Sequence, residues 1–133
     1  MTRATLILLL AAAFRAVVGH SPDPVTVDVA AAQVIREGLT LPGHNLGGLT
    51  DRKAPKVHGI RLARFPNYPT AARAYWRVLV RCKALAAFAS GDVMRSARVL
   101  RKCGYFSAPI ATYQATWAAV LDEIRRDRLR RRH

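Results

Sequence analysis

The chain has 133 residues, a mass of 14.7 kDa and 22 Lys+Arg against 8 Asp+Glu, a formal charge of +14. That length is one domain, and 51% apolar residues make a globular composition, not a disordered one. Two cysteines exclude a disulfide-built scaffold; four scattered histidines and no CxxC exclude a zinc-finger pattern, so no metal and no cofactor are expected.

The elements are predicted in chain order as follows. Residues 4–18 open on an apolar run preceded by Arg3, which raises the question of a signal segment. Arg15 interrupts the run and no small-x-small cleavage site precedes His20. Leu6, Leu9, Leu10, Ala13, Phe14 and Val17 recur at the spacing of a core-facing helical stripe. The run is also shorter than the roughly 20 apolar residues that span a bilayer, so a core helix ending at Gly19 is expected, with no transmembrane segment. Asp23 as cap and Pro24 at the first position start a second helix over 24–37. Glycines and Pro42 make 38–50 a loop. The polar, basic stretch 50–65, with Val57, Ile60 and Leu62 around His58 and Gly59, reads as a short β-hairpin or an irregular arm. A third helix is predicted over 69–89, a fourth over 92–103 stopping at Gly104, and a fifth over 109–128 with Tyr113, Trp117, Val120, Leu121 and Ile124 inward. Trp76 and Trp117 sit at core spacing. Cys82 and Cys103 read as buried small side chains, with a disulfide between them left open. The fold class is therefore mainly α, one domain over 1–124 and a basic tail over 125–133.

Four motifs stand in order along this frame: Ala32-Gln33-Val34-Ile35-Arg36-Glu37-Gly38, then His44-Asn45-Leu46-Gly47-Gly48-Leu49, then Phe65-Pro66-Asn67-Tyr68-Pro69, then Gly104-Tyr105-Phe106-Ser107 with Tyr113 behind it. This set resembles the bacterial glucosaminidase family of glycoside hydrolases, a lysozyme-like group of flagellar, autolysin and phage enzymes, over nearly the whole chain. Three departures stand out: Gly38-Leu39 replaces the usual [ST]-G after the glutamate, the loop to Asn45 is shorter than usual, and Asn45-Leu46-Gly47-Gly48 lacks the second Asn of the loop motif. The resemblance implies a lysozyme-like helical domain and cleavage of a β-1,4 glycosidic bond in peptidoglycan. By position it makes Glu37 the catalytic acid, Asn45 a loop residue supporting the site, and Tyr105 and Tyr113 tyrosines at the groove, so that Gln33, Asn45, Tyr105 and Tyr113 are the expected substrate-binding residues.

The chemistry of Glu37 agrees with that role. Glycoside hydrolysis needs a carboxylic acid that still holds its proton near neutral pH. Apolar burial and a helix C-terminus both favour the protonated form. Glu37, one of only two glutamates, closes the second helix with Val34 behind it and Leu39 and Leu41 ahead, and Arg36 is expected on a different face. Gln33, one turn earlier, would orient the carboxyl or bind saccharide. A second carboxylate in an inverting enzyme stands about 6.5–9.5 Å away. Asp51 is the only acid in the arm and so the candidate base, with His58 a weaker one; the substrate's own N-acetyl group is the alternative nucleophile.

The charge calls for a polyanionic partner. Peptidoglycan strands and anionic wall polymers fit the resemblance, as do other virion or tail proteins if the chain is a lytic part of a particle. The expected place of action is the bacterial wall or periplasm. Nucleic acid is disfavoured, because the chain has no helix-turn-helix spacing, no RNA-recognition aromatic motif and no repeat. A second functional class stays open: a lysozyme-like module that binds wall or virion components without cleaving.

Overall fold

Helix α1 covers Arg3–Val18, begins where the Thr2 side chain accepts the Thr5 N–H, and ends at Gly19 with φ 94°. The chain is described from a computed structural model over residues 1–54, 56, 59–106 and 108–131. Leu6, Leu10, Ala13 and Phe14 form the buried stripe of α1, while Leu9 and Val17 lie at its edges. No helix of the described residues is long and apolar enough to cross a membrane.

Helix α2, Pro24–Glu37, starts on the Asp23 cap and is the central element. Every residue from Thr26 to Val34 is buried, which explains its small side chains: Ala30, Ala31 and Ala32 let neighbouring helices approach closely. A turn of 3-10 helix, Pro42–His44, follows. Helix α3, Tyr68–Arg81, begins on the Asn67 cap and lies against α1, where the Trp76 indole N–H donates to the Leu10 carbonyl at 2.8 Å and Phe14 meets the Trp76 ring edge-on.

The single helix expected over 69–89 is two. Helix α4 is a separate short piece, Leu85–Ala89, and the break is a Schellman motif. Lys83 takes a left-handed conformation with φ 59°, its N–H bonds to the Val80 carbonyl, and the Ala84 N–H reaches back to Leu79. Lysine, in place of the usual glycine at such a position, hid the stop. Helix α5, Val93–Lys102, ends in the same motif, with Gly104 at φ 84° and the Tyr105 N–H on the Leu100 carbonyl.

The two stops are joined. Cys82 and Cys103, the residues that close α3 and α5, form a disulfide with Cα atoms 5.6 Å apart. They are partly exposed and exposed, so the expected buried thiols are corrected to a cystine at the surface. The cross-link closes a loop of 21 residues. A loop that size removes unfolded-state entropy equivalent to about 3 kcal/mol. Replacing both cysteines by alanine is expected to lower the unfolding free energy by about that amount in urea titrations, with far-UV circular dichroism unchanged.

Helix α6 runs Ile110–Arg131 and buries Tyr113, Trp117, Leu121 and Ile124; Val120 sits at the margin. The Trp117 indole N–H donates to the Val29 carbonyl at 2.9 Å, which fastens α6 to α2. The segment expected as a tail from residue 125 is helical to Arg131. Arginine is a good helix former, and here it also has partners: Arg128 makes a forked pair with the buried Asp28 carboxylate at 2.6 and 2.5 Å. Arg3 likewise ties the start of α1 to Glu123 and Asp127 of α6.

Of the two forms expected for the arm, the described part is irregular. One antiparallel bridge, Thr50 to Leu62, and flanking bonds from Asp51 N to Arg61 O and Ala63 N to Leu49 O hold its base. No sheet occurs among the described residues, Ile60 is exposed, and Val57 and His58 lie outside them.

Candidate functional site

The end of α2 delivers Glu37 to a convergence of the loop 45–49, the residues after α5 and the first turn of α6. The Tyr113 hydroxyl donates to Glu37 Oε1 at 2.5 Å. Tyr113 in turn accepts from Gln33 Nε2 at 3.1 Å, and Gln33 Oε1 accepts from the Tyr75 hydroxyl. The direction of this chain is fixed from the carboxylate end. Tyr113 gives its proton to Glu37, so its oxygen takes the amide N–H of Gln33, and the amide oxygen is left for Tyr75. Donors aligned this way polarise one another in a low-dielectric interior.

Gln33 is fully buried and touches Tyr113, not Glu37. Of the two roles expected for it, only support is open, because no saccharide reaches it. Tyr113 is also buried apart from its hydroxyl contact, with its ring between the Phe106 ring, 3.7 Å away and parallel, and the Arg36 guanidinium, 3.8 Å from the ring centre. Arg36 and Phe106 are site residues the sequence reading did not assign. Arg36, expected on another face, turns back on the helix end, where Nη1 lies 3.2 Å from Glu37 Oε1 and Nε donates to Thr116 Oγ1. The apolar surroundings expected for Glu37 are thus replaced by a phenol and a guanidinium on Oε1. Among the described residues Oε2 has no hydrogen-bond partner, and the side chain keeps 20% of its surface open.

Asn45 is fully buried and its amide is spent inside the protein. Nδ2 donates to the Leu49 and Ala63 carbonyls at 2.9 and 2.7 Å, and Oδ1 accepts the Leu49 N–H. It clamps the loop to the arm and, although expected among the substrate-binding residues, has no polar atom left for a saccharide. The clamped loop carries Gly47 and Gly48, both at positive φ. The Tyr105 hydroxyl donates to the Gly47 carbonyl, so the residue after the α5 stop is latched to this loop.

Next to it opens a cleft of about 480 Å³. Gly48, Leu49, Thr50 and Asp51 form one wall, Arg77, Val78 and Arg81 of α3 another, and Tyr105 with the cystine closes the end. Glu37, Gln33, Asn45 and Tyr113 are not among the residues lining the cleft; Glu37 lies behind Gly48, where a methyl placed on the glycine would be 3.0 Å from Oε2. Asp51 is exposed, lines the cleft, and accepts the Lys53 N–H; it is the only acid among the lining residues. Among the described residues no three His, Cys, Asp or Glu side chains converge as a metal site.

Burial pushes the phenols of Tyr75, Tyr105 and Tyr113 well above their ordinary range, and the negative charge of Glu37 adds to it. They stay proton donors wherever the fold survives. The folded state therefore holds these protons more tightly than the unfolded chain. The stability this contributes is complete below the unfolded value of about 10 and declines as pH rises beyond it, at about 1.4 kcal/mol per pH unit for each phenol. The urea midpoint is expected to be level from pH 7 to 9 and to fall steeply above about 10, with tyrosinate absorbance rising together with unfolding.

The chain matches no family model, no curated protein and no solved structure.

Proposed function

We propose that the protein is a lysozyme-like peptidoglycan glycosidase in which Glu37 protonates the leaving oxygen of a β-1,4 bond. The observation that carries this reading is the placement of Glu37: a helix-end carboxyl held through Oε1 by Tyr113, with Oε2 unpartnered among the described residues and next to Gly48, a residue of the cleft wall. General acid catalysis needs a carboxyl fixed in position and open on the side of the scissile bond. The cleft volume lies in the range of small-ligand sites and suits a short length of glycan. Asp51 is the candidate to activate water, and the substrate's N-acetyl group serves where Asp51 does not. Tyr105 offers the aromatic face on which a sugar ring stacks. The charge of +14 concentrates the protein on wall carboxylates and phosphates, with a strength that falls as salt rises. On this reading it acts at the bacterial wall, alone or as part of a virion tail.

A second reading, a wall-binding module without hydrolysis, is favoured by one contact: the Arg36 guanidinium sits on the same oxygen of Glu37 that Tyr113 holds. Turbidity of a purified peptidoglycan suspension, with wild type and Glu37→Gln side by side at low salt, separates the two. Clearing by the wild type alone supports the glycosidase. Wall binding without clearing by either supports the module.

A further inference from the structure

Helix α3 carries Arg73, Arg77 and Arg81 at i, i+4 and i+8 and contains no acidic residue. Arg73 donates to Thr70 at the start of the helix. Arg77 and Arg81 are exposed, line the cleft, and have no hydrogen bond or ion pair among the described residues. Like charges one turn apart oppose each other, so the pair is locally unfavourable. The helix C-terminus rewards the cation at Arg81 but acts little one turn earlier, at Arg77. The one carboxylate of the cleft, Asp51, is engaged by the Lys53 N–H. Two guanidinium groups therefore line the cleft without an ion pair among the described residues, facing a wall whose only carboxylate is Asp51. A guanidinium matches a carboxylate through two parallel N–H···O bonds, and Cβ atoms one turn apart stand about 5–6 Å from each other, close enough to grip one carboxylate or two neighbouring ones.

We propose that Arg77 and Arg81 form a carboxylate-binding subsite that selects glycan strands bearing acidic substituents over neutral strands of β-1,4-linked N-acetylglucosamine. The proposal rests on the cleft being the saccharide groove. It makes the two arginines specificity residues, separate from the chemistry at Glu37.

The test uses the full chain carrying Glu37→Gln, so that nothing is cleaved. Binding is measured on purified peptidoglycan, on the same peptidoglycan with its carboxyls amidated, and on chitin. Arg77→Gln/Arg81→Gln is compared with Arg95→Gln/Arg98→Gln, which removes the same charge from exposed arginines of α5 outside the cleft lining. Charge-assisted hydrogen bonds are worth about 1.5–3 kcal/mol each, so the cleft pair is expected to lose at least about tenfold in affinity for native wall. The α5 pair is expected to lose less than about threefold, chitin binding is expected to be the same in all variants, and amidated wall is expected to bind the unmodified pair as weakly as native wall binds the cleft variant. Equal losses in the two double variants, or full binding to amidated wall, overturn the subsite. Clearing by the wild type, run in parallel, reads the other question. Clearing with equal losses removes the subsite and leaves the glycosidase; no clearing with a selective loss removes the glycosidase and leaves the subsite. No wall binding at all overturns both.

Discussion

Glu37→Gln is expected to slow clearing of peptidoglycan by about 10²–10⁴-fold while costing no more than about 1 kcal/mol of stability. The glutamine side chain is nearly isosteric and retains an oxygen to accept the Tyr113 hydroxyl, so the chain through Gln33 to Tyr75 persists. What it lacks is an acidic proton. The contact it weakens most is the pair with Arg36, whose two side chains keep 23% and 20% of their surface open, a setting in which ion pairs contribute little. A large loss of rate with a nearly unchanged melting curve is therefore the signature of a chemical role. Loss of rate together with collapse of the melting curve would place Glu37 in the framework, and equal clearing would remove it from the reaction.

Gly47→Ala is expected to destabilise the protein by about 4 kcal/mol and to lower the melting midpoint by about 10–20 °C. Two costs add at this position. The backbone has φ 76°, a conformation that an L side chain adopts at a cost of about 1 kcal/mol or more. The added methyl would then lie 2.6 Å from the Tyr105 hydroxyl and 2.7 Å from the Tyr75 ring. Tyr75 is fully buried in the core and cannot retreat, so relief must come from unlatching Tyr105. Gly59→Ala is the matched control, because it also has positive φ but nothing within 4 Å of the new methyl. It is expected to show the backbone cost alone, about 1 kcal/mol in the same denaturation assay.

Much of the frame could be read from the residues, because its punctuation is explicit. Thr2, Asp23, Asn67 and Asp92 cap four helices, and Gly19 and Gly104 stop two. Where a stop lacked glycine, at Lys83, the boundary was lost, and with it the reason the two cysteines meet. The basic end misled in another way. Its composition looks like a solvated tail, whereas Arg128 within it pairs with Asp28, a hundred residues earlier in the chain. At the site, Glu37, Gln33, Asn45, Tyr105 and Tyr113 were all legible as candidates, and Asp51 lines the cleft. Their division of labour was not. That Gln33 and Asn45 stand behind the cleft follows from long-range packing, which no local pattern carries. Arg36 was missed because adjacent helix residues normally diverge, and at the last residue of α2 the long guanidinium folds around the end and onto Tyr113.

The relay of hydroxyls and amide behind Glu37 has a kinetic side. Hydroxyls pass protons along a chain by swapping donor and acceptor roles, but a primary amide cannot swap its nitrogen for its oxygen without turning over. With Gln33 in the middle and fully buried, the line from Tyr75 to Glu37 orients and polarises yet does not conduct. The interior is insulated from the carboxyl. Proton exchange with Glu37 is expected through solvent at its open surface and not through Gln33.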